Sequence, residues 1–460
     1  MTTFPPPELP RPVSTAYLDV LARATERKRA AFTALTSPFP GADADAVAAV
    51  RSAAATQVDE VVALSRQIHA RPEEAWVEHE SVAAIAELLT RHGIPVTVGW
   101  DRFDTAFRSG LMGRGADDGA MIADGSAGPT IAILAEYDAL PAVGHACGHN
   151  IIASAAVGAF LALASAVSDR GLTFAGRVLL LGTPAEEGNS GKEFLARVGF
   201  FDGIDAAIMV HPFGYDVVDQ PFLGRRQLRA TYHGKAAHAS ASPFLGRNAL
   251  DAVVLNYQAI GLLRQHLPPS DRIHGVVLEG GDRPSVIPER VTVEYYVRSA
   301  APETLRDLSG RLEDIARGVA LATGTAVEID WDPVPFTLGV RTNGPLAARW
   351  AVHQASVGRT ALAGGVVPEI LAASTDFGNI SVRIPGIHPM IAVSEPDVAL
   401  HTREFAVVAG GERGDSAAVD GAIGLALTAL DYLVDADLRA AVDEDFAAAG
   451  GPLDVEGFFG

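Results

Sequence analysis

A single cysteine, Cys147, lies between two histidines in the stretch HACGHN, residues 145–150. Thiolate and imidazole are ligands that zinc favours, so three such side chains within five residues suit a metal. The same thiol could instead act as a nucleophile with a flanking histidine as its base. Other positions bear on that choice. Glu186 and Glu187 adjoin in GTPAEEGNSG, where one carboxylate can hold a metal while its neighbour takes a proton from water. His211 ends the apolar run AAIMV and precedes Pro212, which biases its backbone toward an extended form. His401 sits in the polar segment LHTREF. Cys147, His149, Glu187, His211 and His401 together make five candidate ligands, enough for two metals sharing one bridging group. The nucleophile reading explains fewer residues, because it leaves the acids and distant histidines without a task.

These residues need a scaffold that gathers them. The segments PTIAILAEYD, GRVLLLGTPAEE and IDAAIMVHPF each start as a short apolar run and end in acidic or histidine residues. Helical patterns separate them, an Ala-rich one over 151–168 and a second over 191–198. Strands alternating with helices predict an α/β fold with a doubly wound, mostly parallel sheet. Such sheets bind ligands beyond the carboxyl ends of their strands, where these polar residues would meet. Upstream, two helices are expected over 14–35 and 43–68, then an amphipathic run with a Gly stop before a strand.

After about residue 222 the pattern changes to strand, helix, strand, strand, helix, strand, ending near Trp331. That order is the ferredoxin-like split βαβ unit, and the alternation resumes after Pro335. The expected organisation is an N-terminal extension (1–44), a catalytic domain in two parts (45–222 and 337–435), an inserted α+β domain (223–336) and a C-terminal tail (436–460).

A chain of 460 residues has room for two domains. With 36 basic against 56 acidic residues its formal charge is −20. That balance argues against nucleic acid or an anionic membrane as partner and favours small molecules. One cysteine cannot close an internal disulfide, so no oxidising compartment is called for. The opening MTTFPPPELPRP has neither the basic start nor the apolar core of a signal peptide, and a cytoplasmic protein is expected. The uncharged run over 151–168 reaches the lower length limit of a membrane span, but its Ala, Ser and Gly content reads as a buried helix.

Taken in order, IHARPEEAWVEHE, EYDALPAVGHACGHN, GTPAEEG, VHP, GKAAHASASPFLGRNALDA, SVIPERVTVEYYVRS, STDFGN and HTREF resemble the dimeric aminoacylase and carboxypeptidase family of two-metal amide hydrolases. Within it, the chain is most similar to the amidohydrolase branch, which includes hydrolases of auxin conjugates, hippurate and p-aminobenzoyl-glutamate. The resemblance implies two divalent ions per subunit, zinc or manganese, with Cys147 bridging them. His149 and His211 would complete one metal site, and Glu187 and His401 the other. It further implies that Glu186 is the general base and that Asp138 orients a ligand histidine. His238, reaching over from a partner subunit, would stabilise the oxyanion, while Asn248 and Arg298 receive a substrate carboxylate. The inserted domain is then a lid through which a homodimer forms. The implied reaction releases an amino acid from an N-acyl or N-aroyl amino acid or a dipeptide. A p-aminobenzoyl-glutamate hydrolase in particular, or a silent carboxylate-binding protein on the same scaffold, are the alternatives. Glu136, the first acid of EYD, leans toward the p-aminobenzoyl-glutamate and aminoacylase-like members. His145 receives no role.

Overall fold

A computed structural model describes residues 14–113 and 128–459; the proline-rich start of the expected N-terminal extension, residues 1–13, lies outside the described residues. Helices α1 (Ala16–Ala30), α2 (Ala44–Ala55), α3 (Val58–Ala70) and α4 (His79–Arg91) come first. The single helix expected over 43–68 is thus two, broken at Thr56 and Gln57. Gln57 turns inward there, donating to Leu161 O and Ser165 Oγ, 3.2 and 2.7 Å away. This polar anchor holds the break although no Gly or Pro marks it.

The hairpin β1 (Thr97–Trp100) and β2 (Phe103–Met112) follows, and then β3 (Thr130–Ala135), α5 (His149–Arg170), β4 (Arg177–Gly182), α6 (Gly191–Arg197), β5 (Ala206–Ile208) and β6 (His211–Phe213). The next six elements are β7 (Gly224–His233), α7 (Ala249–Leu263), β8 (Arg272–Glu279), β9 (Arg290–Ser299), α8 (Pro302–Thr323) and β10 (Ala326–Trp331). The chain returns through α9 (Gly344–Ala355), α10 (Phe377–Ser381), β11 (Gly386–Ile387), β12 (Met390–Ala392), α11 (Arg403–Ala409), α12 (Glu412–Val434) and α13 (Ala436–Ala448).

A six-stranded sheet runs in the order β1-β2-β4-β3-β5-β11. Its β4-β3-β5-β11 half is parallel and its β1-β2 edge antiparallel, so the expected α/β sheet is present. Every residue of β3 is buried, as a strand covered on both faces requires. The returning alternation is weaker than expected. Pro385 and Pro389 flank Gly386–Ile387, and proline cannot donate to a ladder. The result is a two-residue β11 and a β12 that leaves the main sheet to pair with β6.

Helices α5 and α12 form the centre of the large core. By length and composition both could cross a membrane, yet 83% and 78% of their most apolar windows are buried inside the protein. Small residues allow this close packing. A Cβ on Gly158 would stand 2.7 Å from Val61 Cγ2 and 3.0 Å from Ala422 Cβ, so α3, α5 and α12 meet at a glycine.

The four strands of the second sheet are ordered β10-β7-β9-β8, with all neighbours antiparallel. Helices α7 and α8 cover it and bury a separate cluster including Leu228, Tyr232, Ile260, Val293, Tyr295 and Leu312. Asp435 caps α13, accepting from Leu438 N at 3.0 Å. The last residues then dock: Val455 is buried, and the Phe459 ring lies edge-on to Phe336 at 4.6 Å.

Candidate metal centre

The ends of β3 and β4, the start of α5 and the short β6 converge on one cavity of about 440 Å³. Cys147, Glu186, Glu187, His211 and His401 line it, with Arg225, Tyr296 and Arg298. His149 is fully buried behind them. The turn before α5 depends on Gly148, whose φ of +79° and contact with Pro212 exclude a side chain; a Cβ would stand 2.8 Å from Pro212 Cγ. Three non-glycine residues of the site also take left-handed backbones: Ala185, Ser190 and His401, with φ of 60°, 55° and 64°. Such conformations cost on the order of 1–3 kcal/mol each and persist where surroundings enforce them. Here Ala185 N donates to Glu78 Oε1 at 2.9 Å, and His401 N to Ala146 O at 2.9 Å.

Donor atoms fall into three groups whose members lie within 4.8 Å of one another: Cys147, His149 and His211; Cys147, Glu187 and His401; and His149, Glu186 and Glu187. Ligands about 2.0–2.3 Å from a shared ion, at tetrahedral angles, stand roughly 3.4–3.6 Å apart. Cys147 Sγ lies 3.4 Å from His211 Nε2, and His401 Nε2 lies 3.5 Å from Glu187 Oε1. His149 Nε2 and Glu187 Oε1 are buried without a hydrogen-bond partner. The ligand tautomers are set from behind. His149 Nδ1 donates to Asp138 Oδ1 at 2.9 Å, and His211 Nδ1 to Pro212 O at 2.8 Å, which leaves each Nε2 lone pair facing inward. The residues fit two divalent ions.

The electrostatics agree. Five carboxyl groups, Glu136, Asp138, Glu186, Glu187 and Asp376, crowd here around one fixed cation, Lys192. Burial works against the Lys192 charge, but Asp376 and Glu136 hold it above its ordinary value. Burial, with Glu136 and Asp376 close by, pushes Glu186 well above the usual carboxylate range, and burial raises Glu187 to about 7. Burial and Glu187 likewise push the Cys147 thiol up. These are the shifts of a cluster short of positive charge, which divalent ions would reverse. They weigh against a cysteine nucleophile, which needs a lowered pKa. Of the two histidines beside Cys147, His211 leans on the Pro212 carbonyl and His149 on the Asp138 carboxylate, so it is the raised thiol and not the histidine contacts that argues against a nucleophile.

The structure does not bring every expected residue to the cavity. His238 is exposed on the small sheet's side, outside this lining. Its Nδ1 accepts from Ser240 N and Ala241 N at 3.3 and 3.2 Å, so Nε2 carries the proton and points a donor outward. Asn248 caps α7, its Oδ1 accepting from Leu250 N at 2.9 Å, and does not line the cavity. Arg298 does, donating to Ser374 Oγ at 2.9 Å. His145 is buried with both ring nitrogens unpartnered.

Sequence reasoning missed three features. Lys192 is wholly buried and bridges Glu136 and Asp376, the latter at 2.7 Å. Its only signal is a lysine one turn beyond AEEG. Glu78 ties the loop before α4 to the turn bearing Glu186. Arg225 joins Arg298 on the cavity wall, and alternation along β7 does not distinguish it from an exposed strand charge.

A buried parallel sheet with ligand-forming strand ends and a spare carboxylate defines a metal-dependent hydrolase. The chain belongs to peptidase family M20/M25/M40, whose model matches residues 132–406. Among its relatives is the mouse Xaa-Arg dipeptidase, 35% identical over 405 residues, covering 85% of this chain and 91% of that protein. One of the subunits of the Escherichia coli p-aminobenzoyl-glutamate hydrolase is 33% identical over 58% of this chain and 57% of its own length. A Bacillus subtilis dinuclear metal-binding peptidase of the M20 family shares the fold, with a TM-score of 0.60, 20% identity and coverage of 82% of this chain and 99% of its own. The protein is accordingly a hydrolase of amide bonds.

Proposed function

We propose that the protein releases an amino acid from N-acyl or N-aroyl amino acids or dipeptides, using two divalent ions, zinc or manganese. The observation that carries this reading is the convergence of Cys147, His149, Glu187, His211 and His401 on one cavity beside Glu186. Two of the donor groups, Cys147 with His149 and His211 and Cys147 with Glu187 and His401, have only Cys147 in common, and it is assigned as the shared ligand. His149 and His211 hold one ion with it, and Glu187 and His401 the other. When bound, the ions polarise the scissile carbonyl and lower the pKa of water beside it.

The chain's own groups do the rest. Glu186, the base, takes the proton of the attacking water and passes it to the leaving amine. Asp138 keeps His149 in the tautomer that presents Nε2 inward. Arg298 receives the substrate carboxylate. The domain over 223–336 serves as a lid, and in a homodimer His238 and Asn248 would serve the other copy's cavity, His238 as an Nε2–H donor to the oxyanion. Such a donor contributes about 2.7–4 kcal/mol to catalysis.

The dimer reading is supported by the small sheet's free edge. Strand β8 is terminal and carries Val276, Val277 and Leu278, each more than 40% exposed, beside the exposed Val254 and Leu262 of α7. An exposed apolar edge of this kind pairs readily with another chain.

The test is hydrolysis of a panel of N-acetyl and N-benzoyl amino acids and dipeptides by protein reconstituted with zinc or manganese. Turnover that a chelator abolishes and metal restores is expected. Hydrolysis that survives chelation but not thiol alkylation would overturn the assignment.

A further inference from the structure

The ligand-lined cavity is built from two sides. The metal donors come with the large sheet and its helices, whereas Arg225, Tyr296 and Arg298 stand on β7 and β9 of the small sheet. The chain segments that join these sides pair with each other, Arg225 N donating to Thr337 O at 2.8 Å and Thr337 N to Arg225 O at 2.9 Å. Units joined so narrowly turn against one another by default. Such a turn would carry both arginines away from the metal ligands.

A further tie comes from the segment after α13. Leu453 N donates to Val382 O at 2.9 Å, and Val455 is buried with Phe336, Leu338 and Val382, all outside the small sheet. Phe458 and Phe459 then cross to the small sheet. The Arg306 guanidinium, on α8, lies 4.1 Å from the centre of the Phe458 ring and donates to Phe458 O. Arg226, on β7, stands 3.9 Å from the centre of Phe459 and 4.2 Å from that of Trp331, with Asp332 as its counter-ion. Phe459 thus packs at once against the small sheet's core and against Phe336. Chain ends stay loose unless something ties them down; here rings over guanidinium groups do so, a contact that strengthens as water is excluded.

The tie continues to the metal ligands. Next to Phe336, Pro335 O accepts from Ser190 Oγ at 2.7 Å, and Ser190 Oγ accepts from Arg225 Nη2 at 3.0 Å. Ser190 holds its left-handed backbone three residues after Glu187.

We propose that Phe458 and Phe459 are positioning residues that strap the small sheet to the large one and so fix where Arg225 and Arg298 stand over the metal ligands. Neither ring lines the cavity; both act through Arg226, Arg306 and Phe336. The effect on turnover rests on reading the cavity as an amide-hydrolysing site, and the restraint on the two sheets does not.

The full metal-loaded chain is compared with Phe459→Ala and with the conservative Phe459→Tyr. Hydrogen exchange read by mass spectrometry should quicken about tenfold in Phe459→Ala over residues 187–191, 223–226 and 335–338, while β3 and α5 stay protected. With an N-acyl amino acid, KM should rise about tenfold and kcat change less than about threefold, because the carboxylate-holding arginine has moved and the metal ligands have not. Metal content stays equal, and Phe459→Tyr restores both exchange and KM. Faster exchange confined to residues 449–459, or an unchanged KM, would overturn the proposal. If Phe459→Ala does not fold, the same comparison is read from Phe459→Leu, which keeps apolar bulk and removes the ring face. Should the unaltered chain hydrolyse no N-acyl amino acid, the hydrolase reading fails and the exchange pattern alone decides the strap.

Discussion

At the scale of single residues, two adjacent glutamates are placed for different work. Glu187 Oε1 is buried without a partner and lies 3.5 Å from His401 Nε2, as a ligand should. Glu186 Oε2 stands 4.0 Å from His149 Nε2 and shares no donor group with Cys147. Glu186→Ala is therefore expected to keep its metal and lose turnover by about 10²-fold or more, whereas Glu187→Ala loses metal first. Metal content by atomic emission alongside steady-state rates separates the two, and near-normal turnover in Glu186→Ala would remove it as the base. Glu186, Glu187 and His211 were legible as residue types at strand ends, Cys147 and His149 in the turn before a helix, and His401 in a polar segment. Lys192 was not, because its burial is decided by Glu136 and Asp376, 56 and 184 residues away in sequence. Asn248 caps α7, a task that suits an asparagine standing just before a helical run.

Elements position these side chains through a few polar ties. Glu78 is fully buried at the start of α4; its Oε1 accepts from Trp76 N and Ala185 N, at 3.0 and 2.9 Å, and its Oε2 from Thr105 Oγ1, at 2.7 Å. It thereby joins α4, β2 and the left-handed Ala185 turn that precedes Glu186. Replacing it with Ala removes the acceptors of all three bonds and loosens that turn. We expect Glu78→Ala to lower kcat about 10- to 100-fold with KM little changed, the size seen for groups that orient ligands. Unchanged kcat, with circular dichroism showing a folded protein, would refute the tie. The βαββαβ order and the parallel strands were readable from period and punctuation. The break at Gln57 and the shrinking of the returning strands were not, since the first rests on a tertiary hydrogen bond and the second on prolines flanking a run too short to pair.

For the whole molecule, the proposed dimer would put to use residues of the small sheet that lie outside the chain's own cavity. His238 faces solvent with an outward donor, and the β8 edge is apolar. On the proposed dimer, Val277→Lys on that edge should shift the protein from dimer to monomer in light scattering and cut turnover about 10²-fold or more, because His238, the proposed oxyanion donor, would then have no cavity to enter. Full activity in a monomer would contradict the shared arrangement. The most direct test of the central claim is titration of metal-free protein with zinc or manganese while hydrolysis of an N-acyl amino acid is followed. Activity should rise to a plateau at two ions per chain. Full activity without added metal in chelator, or a plateau at one ion, would contradict a two-metal hydrolase built on Cys147.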